Sequence, residues 1–182
     1  LVPAEAEIVI EGYVSTEYLE PEAPFGESHG LVNLQEYNCF MDITCITRRK
    51  DAIFMNYINQ LAPSESSVRS RVTLEGQYLK ELNAMQIAGL KKVVFHEPLT
   101  GSRRIIFLVF ARGALDTEVW RGLTAAAMLK KGTGKIVYAV SDDIDPENLD
   151  AVMWSMAFRC KPHLDVRIHD NWAAGHGPRD IV

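Results

Sequence analysis

The apolar positions of this chain change rhythm partway along it. In residues 6–14 the apolar Ile8, Ile10 and Tyr13 are broken by Glu7, Glu11 and Gly12, which predicts a strand with a turn or bulge near Gly12. Residues 38–46, "NCFMDITCI", alternate well enough for a second strand. In "RRKDAIFMNYINQLAP" the apolar Ile53, Phe54, Tyr57, Ile58 and Leu61 predict a short helix that stops before Pro63. The Ser-rich "SESSVRSR", residues 64–71, reads as a linker or the lip of a site. Leu74, Tyr78, Leu82 and Met85 then fall three and four apart, predicting an amphipathic helix over 74–87 that ends near Gly89.

From there strands and helices alternate. "KVVFHEP" and "RRIIFLVFA" are apolar runs of strand length, and Asp116 or Thr117 is placed to cap a helix running to Lys131 and closed by Gly132. "KIVYAV" reads as a buried strand. "DIDPENLDAVMWSMAFR" predicts a helix with Asp145 as N-cap, Pro146 at the first helical position and Leu149, Val152, Met153 and Met156 on one stripe. "DVRIHD" reads as a closing strand. The pattern predicts an α/β fold with an α+β start: a β-rich beginning, a polar and helical connector, and a C-terminal α/β domain with helices packed on a mostly parallel sheet.

Composition narrows the function classes. With 182 residues, 47% of them hydrophobic and 24% charged, the chain suits one domain or two small ones, and a chain of this size buries roughly 70% of its unfolded surface without disulfides. A net charge of −5 and the absence of a long basic block give no reason to expect nucleic acid. Cys39, Cys45 and Cys160 lack metal-ligand spacing and read as reduced thiols of a cytoplasmic protein. No window reaches the roughly 18 apolar residues of a membrane helix. The opening "LVPAEAEIVIEG" runs straight into a strand pattern, with neither leader nor initiating methionine, and the expectation is a piece of a longer polypeptide.

Most candidate chemistry has a structural explanation. Asp142, Asp143 and Asp145 cluster at a strand end, but helix capping accounts for Asp145 and the dipole favours carboxylates there. His96 and Glu97 are neighbours at a turn, and neighbours on a strand point to opposite faces. His163, His169 and His176 have no ligand spacing, and "GTGK", residues 132–135, lacks the frame of a phosphate loop. No metal site is expected within this chain. One loop stands apart. In "PEAPFGESHG", residues 21–30, two prolines and two glycines constrain the backbone around Glu22 and Glu27. Two carboxylates five residues apart on such a loop can face one cavity, where burial or mutual repulsion makes one of them a proton donor near neutrality; solvated loop glutamates are the plainer alternative.

At this loop the chain resembles the UbiD family of reversible decarboxylases, which use prenylated FMN. "VPAEAEIVIEG", "PEAPFGESHG", "ITRRKDAIF" and "KIVYAVSDDIDPENLDAVMWSMAFRCKP" follow that family's motifs in order and at similar spacing. The resemblance implies that Glu22 and Glu27 are two members of a Glu-Arg-Glu network. Glu27 would be the proton donor to the carbon that loses CO2, and Glu22 part of the relay with the arginine. It also implies a cofactor contact at Lys135 and a substrate-pocket position at Tyr138. By the same resemblance, residues 1–62 are part of a split β-barrel, 63–89 a linker and helix, and 90–182 an α/β domain that oligomerises. The substrate would be an aromatic or α,β-unsaturated acid, with CO2 as co-product.

This sequence departs from the family in three ways. Ala23 stands where the family's loop usually has Gly, and "DNWAAGHGPRDIV" diverges from the usual ending. The catalytic arginine, and the Asn/His/Glu set that holds a divalent metal (Mn or Mg), with K, and the cofactor phosphate, belong to an N-terminal part without counterpart here. The resemblance therefore implies a chain inactive by itself, completed by that missing domain. The alternatives are a non-catalytic assembly or oligomerisation subunit related to the family, and a flavin reductase-like binding domain, which leaves the later motifs unexplained.

Overall fold

The computed structural model describes residues 1–32, 36–98, 100, 101 and 103–170. Strands β1 (Ile8–Val14) and β4 (Met41–Arg48) pair antiparallel into a ribbon, with β2 (Glu20–Pro21) and β3 (Tyr37–Asn38) forming a two-residue ladder between them in sequence. The ribbon's register shifts between Glu11 and Gly12, as the broken pattern there predicts. A Cβ on Gly12 would lie 2.4 Å from the Asp42 carbonyl oxygen, so the irregularity depends on glycine. At its far end the ribbon is tied to the N-terminal segment: Arg49 pairs with Glu5 and Glu7, each at 3.4 Å, and the Ile53 amide donates to Glu7 Oε2 at 3.0 Å.

The second part is built on three strands in the order β5 (Leu90–His96), β6 (Ile105–Phe110), β7 (Ile136–Ser141). β5 and β6 are antiparallel and β6 and β7 parallel, which corrects the expectation of a mostly parallel sheet. The short connection over 97–104 can only return antiparallel, whereas the β6–β7 connection carries a helix, α2 (Asp116–Met128), that serves as a crossover. Alternation along the strands makes two cores. Val93, Phe95, Ile106, Leu108 and Phe110 face Leu74, Tyr78 and Leu82 of α1 (Glu65–Ala84) and Ala126 of α2. Val94, Phe107, Val109 and Val140 face Ile144 and Val152, the latter on α3 (Leu149–Arg159). Burial on both faces is why the central strand β6 reads as a continuous apolar run, whereas β5 opens on exposed Lys91 and Lys92 and β7 buries only Val140 fully.

Several boundaries differ from the sequence reading. The interval read as a polar linker forms the first two turns of α1: Ser64 is its N-cap, and Ser64 and Ser67 bond each other's backbone N–H reciprocally. α2 starts after Leu115, which offers no side-chain cap, and ends at Met128. The N-cap of α3 is Asn148, whose side chain accepts from the Ala151 amide at 3.2 Å. Asp145 instead closes a turn by accepting from the Glu147 amide at 3.0 Å. No helix forms over 53–61. Ile53, Phe54 and Met55 are exposed there, so an apolar stripe has nothing to pack on, and carboxylates of Glu7 and Glu65 hold the Ile53 and Ile58 amides. The closing strand is also absent: a single turn, α4 (Pro162–Asp165), is followed by an extended segment whose Arg167 lies over the Trp120 ring at 4.6 Å. Among the described residues no helix is long and apolar enough to cross a membrane.

Burial is uneven. Among the described residues, every buried hydrophobic side chain lies at Ala62 or beyond it. Truncating fully buried Leu82 to Ala is expected to lower the unfolding free energy by about 2–5 kcal/mol, against less than about 0.5 kcal/mol for Phe54→Ala at a position 76% exposed. Denaturant titration of the two variants measures the contrast; equal losses would contradict it.

Candidate active site

The loop over 21–30 folds as nested turns. At its base Glu20 and Pro21 pair with Asn38 and Tyr37, and the Glu22 amide extends the ladder by donating to the Glu36 carbonyl at 2.7 Å. Further in, Gly26 and Val32 form a bridge, the Glu27 amide donates to the Leu31 carbonyl at 2.9 Å, and the Gly30 amide donates to the Glu27 carbonyl at 2.9 Å. Gly30 has φ +86°, a conformation that side chains rarely adopt, and Leu61 packs over it: a Cβ there would sit 3.2 Å from Leu61 Cδ1. Gly30 thus does what its place in the sequence suggests, and the turns around it give the segment a defined shape.

Glu22 is exposed and Glu27 half-buried. The Glu22 carboxylate accepts from the side-chain amide of Asn38, a residue the sequence reading passed over. Asn38 is 16 residues away and no local pattern points to it; only the β2–β3 pairing brings it alongside. The bond fixes one carboxylate while leaving the loop's apolar surroundings open: Tyr18, Leu19, Phe25 and Tyr37 are all more than 40% exposed.

Lys135 and Tyr138 stand elsewhere. They line a cleft of about 1500 Å³ bounded by α2, β7, α3 and residues 164–170, and neither Glu22 nor Glu27 lines it. Tyr138 stacks on Phe107, ring centroids 5.3 Å apart, at the edge of the α3-side core. A second, shallower cavity over residues 55–69 also excludes the two glutamates. Neither of these two cavities joins the carboxylate loop to Lys135 or Tyr138.

The acidic cluster after β7 is occupied by cations. Asp142 pairs with Lys91, and Asp143 accepts from Arg159 at 2.8 and 3.0 Å and from Arg112 at 3.0 Å. The Arg159 hydrogen bonds are the main cause that holds the Asp143 carboxyl down at about 2, with Arg112 adding to it. No group of three or more His, Cys, Asp and Glu among the described residues is placed to hold a metal ion. His163 and His169 are exposed, His176 lies outside the described residues, and Cys39, Cys45 and Cys160 are free thiols.

Comparison with known proteins gives a consistent result. Residues 1–60 match the UbiD model, described as the 3-octaprenyl-4-hydroxybenzoate carboxy-lyase Rift-related domain, and residues 73–174 match its C-terminal domain model. A phenolic acid decarboxylase from Sedimentibacter hydroxybenzoicus is 30% identical over 181 residues, covering 93% of this chain and 35% of its own length. The vanillic acid decarboxylase of the same organism, in open form, is similar with TM-score 0.69 and 25% identity, over 94% of this chain and 36% of that one. The UbiD-class enzyme HmfF from Pelotomaculum thermopropionicum, in an evolved dimeric form with prFMN, shares the fold, with TM-score 0.73 and 23% identity over 100% of this chain and 43% of that one. The chain spans about a third of the length of the curated relatives it matches.

The Asp143 pairing has a pH signature. Its folded pKa, about 2, lies below the ordinary 3.8, so its stabilising contribution is complete above pH 3.8 and is lost as pH falls through 2. Asp143→Asn is expected to be less stable than the parent at neutral pH, with the gap closing on acidification; a gap that is constant with pH would refute the pairing.

Proposed function

The chain belongs to the UbiD family, matching its central and C-terminal portions, and from that premise we propose that it carries the proton-transfer loop of a reversible decarboxylase acting on an aromatic or α,β-unsaturated carboxylic acid. The observation that supports this most is the loop itself: the motif "PEAPFGE" is held in nested turns, with one carboxylate fixed by Asn38. In this reading Glu27, as the acid, gives its proton to the substrate carbon as the bond to departing CO2 breaks, and is reprotonated from water. In the carboxylating direction its carboxylate takes the proton from that carbon. Glu22 orients the relay toward an arginine supplied by the rest of the protein. Relatives named for phenolic and vanillic acid support an aromatic acid as substrate.

Glu22 and Glu27 line neither of the two cavities described above, one of which holds Lys135 and Tyr138. Prenylated FMN, the divalent metal (Mn or Mg) and K are therefore proposed for the full-length protein. Lys135 and Tyr138 enter the proposal through the resemblance alone. An N-terminal domain is the proposed partner of the exposed ribbon, and covering it would also exclude water from the loop, which a carboxylic acid needs in order to deliver a proton near neutrality. The C-terminal α/β domain is proposed as the oligomerising part.

The exposed apolar ribbon also suits a second reading, a non-catalytic assembly module. Reconstitution separates the two. With a separately made N-terminal part and prenylated FMN added, decarboxylation is expected, and Glu27→Gln is expected to lower kcat by about 10²–10⁴. Activity undiminished in Glu27→Gln would remove Glu27 from its role, and folded, associated parts with no activity would favour the assembly module.

A further inference from the structure

The proton-transfer reading leaves one buried carboxylate among the described residues unused. Glu97, at the end of β5, is 3% exposed, and its carboxylate accepts from the Ser67 hydroxyl. A buried carboxylate is costly unless donors meet it, so its placement fixes the element that supplies the donor. That element is the first turn of α1. Ser67 is also the residue that closes the reciprocal cap with Ser64, and the helix N-terminus favours negative charge beside it.

The same turn holds the strap that precedes it. Glu65 Oε2 accepts from the Ile58 amide at 2.8 Å, the Ser66 hydroxyl donates to Asn59 Oδ1 at 2.6 Å, and the Arg69 guanidinium lies 5.1 Å from the Tyr57 ring centroid. Two residues past Asn59, Leu61 packs on Gly30, whose amide is bonded to the Glu27 carbonyl at 2.9 Å. Contacts therefore run without a gap from Glu97 through Ser67, the strap over 57–61 and Gly30 to the backbone of Glu27.

We infer that Glu97 is a positioning residue: by locking the first turn of α1 it sets, through the strap and Leu61, where the Glu27 loop sits. The positioning stands on the contacts; its consequence for catalysis rests on the proposed role of Glu27. Holding a reacting group in place matters because a displacement of about 1 Å can cost roughly a hundredfold in rate.

The test uses methyl-labelled protein and the cross-peak between the Leu61 methyls and the Gly30 α-protons, in the parent, Glu97→Ala, which removes the acceptor, and Glu97→Asp, which withdraws it. Loss of that cross-peak in the variants, with the Val93–Leu108 core cross-peaks kept, is expected. If Glu97→Ala does not fold, Glu97→Asp, which withdraws the carboxylate from the Ser67 hydroxyl and leaves the Ser64–Ser67 cap in place, decides. A cross-peak that survives in a folded variant overturns the inference, and so does joint loss of the core cross-peaks, which would make Glu97 a general stabiliser. In the intact enzyme both variants are expected to lower kcat about ten- to a hundredfold with KM unchanged. Absence of decarboxylation in the parent would sink the proposed function and leave the cross-peak to judge the positioning.

Discussion

Apolar surface that finds no cover within the chain is the constraint on which the rest of the structure depends. Past Ala62 the sheet is buried on both faces, and its strands, helices and turns follow from that burial. Before Ala62 no described residue is buried, and Ile10, Tyr13, Ile43, Ile46, Ile53 and Phe54 all stay more than half exposed. A two-stranded ribbon is marginal by itself in water. What keeps this one in shape is local: its ladder, the irregularity at Gly12, and the Glu5 and Glu7 contacts to Arg49 and Ile53. Such a surface suits the covering domain proposed above.

The same division separates the geometry of the candidate site from its environment. Geometry is supplied here, by the nested turns, the Asn38 bond to Glu22 and the Leu61 contact at Gly30. Environment is not: Glu22 is exposed and the loop lines neither of the two cavities described. Acid–base chemistry needs both, because a carboxylic acid in open water is ionised long before neutrality. α1 links the two parts, with its first turn against β5 through Glu97 and against the strap that reaches Gly30.

How much of this was legible in the sequence depended on where the information sits. The strand β6 could be read because burial on both faces demands an unbroken apolar run, β5 and β7 from their shorter apolar stretches, and the Gly12 irregularity because glycine and charge interrupt the β1 pattern. The start of α1 was hidden by composition: Ser64 to Ser67 looks like a linker, although Ser at both the N-cap and the third helical position is a capping pair. Asp145 and Asn148 are both able caps three residues apart, and it is Asn148 that accepts from the Ala151 amide. The antiparallel β5–β6 pairing could have been anticipated from the short 97–104 connection. At the site, the prolines and glycines marked out Glu22 and Glu27, whereas Asn38 and Glu97 carry no local signal, since each acts through a contact across the fold.

The most direct test of this account is calorimetry of the association between this chain and a separately made N-terminal part, repeated over a range of temperatures. If the ribbon is one face of a divided core, association removes its apolar side chains from water and the heat-capacity change is large and negative. Association with a heat-capacity change near zero, or none at all between folded parts, would contradict it, and the exposed ribbon would then have to be explained without a covering domain.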